Sequence, residues 1–312
     1  MITADLDRFV ARARACAPDF GPATARAAFL VTPEGFARAE ESAQDNRYMA
    51  AAGYHAEAAL AEHRALQRAL SADVPVFAFP GDPATPDAVF PNNVFAIARP
   101  DAQVLPQAPP RLLVGRMRHA VRQAEAARAD IRGFFRDTAG AVEIDLSQQP
   151  HPCELTGSLV IDRARGLGFC GLSERCDEAG AALMHEAFGL RATLLFDLAA
   201  GEYHTNVVLA VLAGRAVLVS PAGFAEPAVA QAIAGLYAPH AVLLERRQQA
   251  AFAANAIALS PRRVWMSAVA TASLDPARVQ ALARAGFELG QVPLAAIEAG
   301  GGSLRCCVAE VF

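Results

Sequence analysis

Asn206-Val207-Val208-Leu209-Ala210-Val211-Leu212-Ala213-Gly214-Arg215-Ala216-Val217-Leu218-Val219 is a small polar residue, an apolar run, a glycine-containing turn and a second apolar run. Two strand-like runs joined by a tight turn predict a β-hairpin. The pattern recurs on both sides. Ser158-Leu159-Val160-Ile161 is followed by Arg163-Ala164-Arg165-Gly166 and Leu167-Gly168-Phe169-Cys170. Asn255-Ala256-Ile257-Ala258 is followed by Ser260-Pro261-Arg262-Arg263 and Val264-Trp265-Met266. Asn93-Val94-Phe95-Ala96-Ile97 and Ser303-Leu304-Arg305-Cys306 begin in the same way. The five starts lie 65, 48, 49 and 48 residues apart. Helical segments are predicted over 118–135, 177–188, 227–237 and 275–285. A period of about 48 residues, built of strand, hairpin and helix, reads as a closed ring of similar α/β units.

Upstream, Ala27-Ala28-Phe29-Leu30-Val31 reads as a buried strand, 49–70 as a helix, and 74–79 as a strand. Pro75 puts that last strand at an edge. Residues 82–87 are a loop by composition. Residues 1–25 form an N-terminal extension, read as a helical surface flap ending at Pro18 and Gly21-Pro22.

Composition narrows the function classes. A chain of 312 residues, 54% hydrophobic, has ample material for a buried core. A net charge of −4 advertises no basic face for nucleic acid. The six cysteines, at 16, 153, 170, 176, 306 and 307, have no C-x-x-C spacing, so no zinc or thioredoxin motif is expected and they read as reduced. No phosphate loop or dinucleotide fingerprint is present, so no cofactor is implied. The start lacks a basic region followed by an apolar core, and the longest apolar run is interrupted at Gly214-Arg215. The expectation is a cytoplasmic protein without a membrane partner; a homo-oligomer is left open.

In a ring of repeats, equivalent strand ends converge on one axis and their side chains share a central pocket. The residues so placed are Asn92 and Asn93, Glu154 with Thr156, His204, and Cys306. A thiol, an imidazole and a carboxylate together suit nucleophilic catalysis. Each also has an ordinary structural role open to it: a core cysteine, a histidine at a strand end, a solvated glutamate. Cys307 is expected to face away from Cys306 on a terminal strand and to be structural.

Phe90-Pro91-Asn92-Asn93-Val94-Phe95, Glu154-Leu155-Thr156-Gly157-Ser158, Tyr203-His204-Thr205-Asn206-Val207 and the terminal Gly300-Gly301-Gly302-Ser303-Leu304-Arg305-Cys306 carry a family resemblance. From about residue 27 onward the chain resembles the amidinotransferase-type superfamily of guanidine-modifying enzymes, and within it the arginine deiminase-related citrulline-utilisation hydrolases and arginine dihydrolases. The resemblance implies a five-bladed α/β propeller of ββαβ modules with pseudo-fivefold symmetry, forming one catalytic domain over 26–312. It implies Cys306 as the nucleophile on the guanidinium carbon, His204 as acid and then base, and Glu154 as acceptor for the guanidinium nitrogens. Arg175 would hold the substrate's α-carboxylate, with Arg122, Asn46, Asn92 and Asn206 as further substrate contacts. A nearby cation and imidazolium are expected to lower the thiol pKa.

Three residues depart from the deiminase pattern: Asn93 and Asn206, where deiminases carry aspartate, and Cys176, where relatives often have threonine. An asparagine amide donates as well as accepts, so Asn93 can hold a ureido oxygen. The expected function is hydrolysis of arginine or citrulline to ornithine, ammonia and carbon dioxide. The alternatives are a deiminase or dimethylargininase that stops at citrulline, and a non-catalytic arginine-binding propeller.

Overall fold

A computed structural model describes residues 1–312. One strand-pairing pattern occurs five times. Phe95–Ala98 runs antiparallel to Arg111–Val114, which lies parallel to Val142–Asp145. Leu159–Asp162, Leu167–Leu172 and Ala192–Asp197 repeat it, as do Leu209–Leu212, Ala216–Val219 and Ala241–Leu243. In the fourth unit the first strand shrinks to a single bridge, Ile257 to Trp265, before Arg263–Ser267 pairs in parallel with Glu288–Val292. The fifth is assembled from both ends of the chain: Ala309–Val311 is antiparallel to Ala27–Val31, itself parallel to Val76–Phe79. Each parallel step requires a crossover, and a helical segment supplies it.

The helix limits follow local chemistry. Asp177 caps Glu178–Phe188 by accepting from the Gly180 amide, and Gly189 ends it at φ +66°. Asp275 caps Pro276–Arg284, with Pro276 in the first turn. The strand Val76–Phe79 does lie at a sheet edge.

Several expectations are corrected. The helix placed over 49–70 begins only at Ala56. The segment before it crosses to the glycine-rich terminus, where Met49 bridges Gly300 and the Tyr54 hydroxyl donates to the Ala299 carbonyl at 2.8 Å. The helix over 118–135 is broken into Ala120–Ala126, Ala129–Gly133 and a π-type turn Phe134–Thr138. Residues 303–308 form turns rather than a strand: the Cys306 and Cys307 amides both donate back to the Ser303 carbonyl, and only Ala309–Val311 pairs. Asn93, Ser158 and Asn206 lie in short helical turns just ahead of their strands, not in extended backbone.

The N-terminal extension is not a flap. Ile2–Thr3 adds a parallel strand beside Ala192–Asp197, and Asp5 caps the helix Leu6–Ala15. That helix buries Phe9 and Ala13 completely, with the Phe9 ring 5.6 Å from that of Phe169. No helix is long and apolar enough to cross a membrane. Replacing Phe9 by alanine would leave a cavity in this cluster, and denaturant unfolding should show a loss of about 3–5 kcal/mol; an unchanged midpoint would mean that the segment contributes nothing to the core.

Candidate active site

The short turns at the strand mouths are linked from unit to unit. The Thr156 hydroxyl donates to the Asn92 carbonyl (3.0 Å), Asn206 Nδ2 to the Thr156 carbonyl (3.2 Å), and Asn255 Nδ2 to the Asn206 carbonyl (3.0 Å). The Arg305 amide then donates to the Asn255 carbonyl (3.3 Å). Equivalent positions are therefore Asn92, Thr156, Asn206, Asn255 and Arg305, which corrects by one or two residues the repeat register based on Asn93, Ser158 and Ser303. Cys306 is attached to this chain. Its amide donates to Asn255 Oδ1 at 3.3 Å, and its sulfur lies 3.3 Å from Asn255 Nδ2 and 3.8 Å from Asn206 Oδ1.

Cys306 borders a cavity of about 260 Å³ that Asn93, Arg122, Arg175 and Asn46 also line. Five of the nine predicted site residues therefore meet at one opening. Asn92 and Asn206 are placed in the inter-unit chain rather than on the cavity wall. His204 and Glu154 form a fully buried pair behind it, with Nε2 and Oε2 at 2.8 Å. Glu154 also accepts from the Arg118 amide at 3.0 Å, and Arg175 Nη1 lies 3.4 Å from Oε2. Next to it Leu155 has φ +25°, a strained value for an L side chain.

The network fixes the imidazole tautomer. With Nε2–H donated to the Glu154 carboxylate, the lone pair of Nδ1 is left without a partner, and Asn93 Oδ1 is likewise buried and unpaired. Both approach Gly157: a Cβ there would stand 2.5 Å from Asn93 Oδ1 and 2.9 Å from His204 Nδ1. Only glycine leaves room for the two to face the same space.

The pocket's cations are already matched. Arg122 makes a bidentate pair with Glu125 at 2.9 Å and donates to the Phe90 carbonyl. Arg175 pairs with Asp45, donates to the Ser42 carbonyl at 3.0 Å and stacks on Tyr203. Two carboxylates escaped the sequence reading. Asp45, which also faces His119 at 3.1 Å, adjoins the predicted Asn46. Asp87 lies in a segment whose proline-rich composition announced only a loop. It is buried on the cavity wall, accepts from Ser42 at 2.6 Å, and leaves Oδ1 with no partner.

Burial by itself would raise the Glu154 carboxyl, but Arg175, His204 and Arg122 more than offset it and hold the group well below the usual carboxylate range. Burial lowers the His204 pKa against the pull of Glu154. Burial raises the Cys306 thiol, with the Ser303 backbone N–H, Asn255, the Arg305 charge and Asn206 only partly opposing it. This differs from the expectation of a lowered thiol pKa, because the loss of hydration outweighs the Arg305 charge and the hydrogen bonds to the sulfur. All six cysteines are free; Cys307 is packed in the core with its sulfur 3.4 Å from the Ser303 carbonyl. No group of three or more His, Cys, Asp or Glu side chains is arranged to hold a metal ion.

The family described as N,N dimethylarginine dimethylhydrolase, eukaryotic, matches residues 32–312. The chain belongs to this family. Like other dimethylarginine dimethylhydrolase-family members, it is a C–N hydrolase acting on guanidino groups, within the amidinotransferase and arginine deiminase-related superfamily. None of the curated proteins matches it. Among solved structures, it is similar to the substrate-bound N-terminal domain of ArgZ, an arginine dihydrolase from the ornithine–ammonia cycle in cyanobacteria. That match has 18% identity, covers 91% of this chain and 97% of the other, and has a TM-score of 0.77. Unliganded AgrE matches at 18% identity and TM-score 0.76, over 92% of this chain and 39% of its own. A dimethylarginine dimethylaminohydrolase adduct matches at 18% identity and TM-score 0.66, over 92% and 99%. The mixed α/β fold is common to all three.

Two measurements check the electrostatics. Alkylation of the Cys306 peptide in substrate-free protein, followed by mass spectrometry against pH, should have its midpoint above the ordinary thiol value of about 8.5. The Glu154 contribution to stability is complete above the unfolded carboxyl value of 4.5 and is lost as pH falls toward the lower folded value. Glu154→Gln should therefore be less stable at neutral pH and lose stability less steeply below about pH 5.

Proposed function

We propose that this chain hydrolyses arginine or citrulline at the guanidino or ureido carbon through a covalent Cys306 adduct, giving ornithine, ammonia and carbon dioxide. The observation that carries this reading is that Cys306 and Asn93 border one cavity with buried charged groups suited to an α-amino acid. Asp87 Oδ1 is a ready acceptor for an α-ammonium. Arg175 takes the α-carboxylate in exchange for Asp45, a substitution of one charge-assisted pair by another. Arg122 and Asn46 complete that end of the site.

A bound guanidinium brings the positive charge that the unliganded pocket lacks around sulfur, favouring the thiolate. The thiol proton passes to His204 Nδ1, and the thiolate attacks the guanidino carbon. His204 then protonates the departing ammonia, while Glu154 orients the imidazole and accepts guanidinium N–H groups. Water activated by His204 releases citrulline and restores the thiol. A second round at the ureido carbon, with the Asn93 amide donating to its oxygen, consumes another water and yields ornithine, ammonia and carbon dioxide.

Support comes from ArgZ, which has been seen with substrate and with product, and whose serine-for-asparagine variant was captured covalently bonded to a reaction intermediate. The five pairing units and their hydrogen-bonded mouths support a five-bladed α/β propeller of ββαβ modules. Residues 26–312 form its catalytic domain, with 1–25 as an extension docked on it. The family match favours a second reading, release of an amine from a dimethylarginine with the reaction ending at citrulline.

Incubation with arginine, citrulline and N,N-dimethylarginine, followed by mass spectrometry, separates the readings. Ornithine from arginine and from citrulline is expected; citrulline accumulating without ornithine would reject the two-step reaction. Cys306→Ser should lower kcat by at least about 10⁴-fold. Asn93→Asp should cut ornithine formation from citrulline by on the order of tenfold to a hundredfold, since a donor to the ureido oxygen is lost.

A further inference from the structure

On the other side of the hydrogen-bonded turns lies a second cavity of about 550 Å³. Thr156, Asn206 and Arg305 reach it from the turns, and Ala213 and Gly214 of a hairpin loop border it where the strands end. Ten of its sixteen lining residues are hydrophobic, Val160, Leu209, Val211 and Ile257 among them, but backbone and charged groups make up more of the surface that faces the space than hydrocarbon does.

Its charges do not balance. Arg305 is satisfied, pairing with Glu310 at 2.9 Å and donating to the Val308 carbonyl at 2.7 Å. Arg163 also lines the cavity and is 8% exposed, yet it has neither a carboxylate partner nor a hydrogen-bond acceptor. Its guanidinium instead faces the Phe312 ring at 4.4 Å and the Phe188 ring at 5.1 Å. Aromatic faces attract a cation, but they leave its five in-plane N–H donors without conventional acceptors. Burial lowers the Arg163 pKa to about 10, helped by Arg305 and opposed by Glu310, so the group is still charged at neutral pH. An unpaired buried charge is costly, and the residue that carries it lines this cavity.

We propose that this cavity binds a small aliphatic carboxylate, with its oxygens on the Arg163 guanidinium and its hydrocarbon body against Val160, Leu209, Val211 and Ile257. With Arg305 matched by Glu310, one surplus positive charge remains; a single carboxylate balances it, whereas a doubly charged phosphate would overcompensate it. The site is separate from the Cys306 cavity, and the inference does not depend on the reaction proposed there.

Butyrate is a suitable probe, titrated into the full chain at constant ionic strength beside sodium chloride and inorganic phosphate. Butyrate should raise the thermal midpoint saturably, and phosphate should not. Calorimetry on Arg163→Met should show binding on the order of tenfold weaker, and this variant should be at least as stable as the parent in butyrate-free buffer. Crystals of the unaltered protein soaked in 4-bromobutyrate locate the ligand directly and decide the matter if the variant does not fold. Anomalous bromine signal between Val160 and Ile257 supports the site. Bromine confined to the Cys306 cavity, no saturable butyrate response, or a larger response to phosphate would each overturn it.

Discussion

Cys306 sits at the end of a run of hydrogen bonds in which each unit's turn donates to the carbonyl of the unit before. Thr156, Asn206 and Asn255 each reach back across a unit boundary, and the Arg305 amide ends the run beside the thiol. These groups are buried, so each would be expensive to leave unpaired. The position of the sulfur is thereby set by residues scattered over more than two hundred positions of sequence. The local turn of 303–308 could not fix it alone.

The same boundary separates two different electrostatic environments. On the Cys306 side, buried charges come in matched sets: Arg122 with Glu125, Arg175 with Asp45 and Glu154, and Glu154 with His204. Burial keeps the Cys306 thiol pKa above its ordinary value. Asp87 Oδ1, Asn93 Oδ1 and His204 Nδ1 are buried there without a hydrogen-bond partner. On the far side, Arg163 is the unmatched group, set against the Phe188 and Phe312 rings. Each buried polar atom left without a partner costs stability, and these few residues concentrate that cost.

Much of this was legible from sequence. The repeat of small polar residue, apolar run and turn located the hairpins at 159–172 and 209–219 and the reduced one bridged at Ile257 and Trp265, and Asp177 and Asp275 marked helix starts that the structure keeps. Legibility failed where contacts are distant. The segment 49–55 satisfies its backbone against Ala299 and Gly300, so its helical look misleads. The terminal 303–308 is bent into turns despite its strand-like composition. The extension carries Phe9 into a core formed by residues far along the chain, which its own pattern of Pro and Gly does not reveal.

By itself, the sequence determined the period of the α/β units and offered Cys306, His204, Glu154 and Asn93 as candidates at similar places in the repeat. The period depends only on residue type and spacing, whereas the roles of those candidates are what the family resemblance implies. Tertiary structure alone decided that Asn92 and Asn206 join the inter-unit chain, that Asp45 and Asp87 enter the site, that the thiol is raised rather than lowered, and that Arg163 has no partner. Those outcomes depend on which charges and acceptors are buried within a few ångströms of one another, and the folded packing sets that, whatever their distance along the chain.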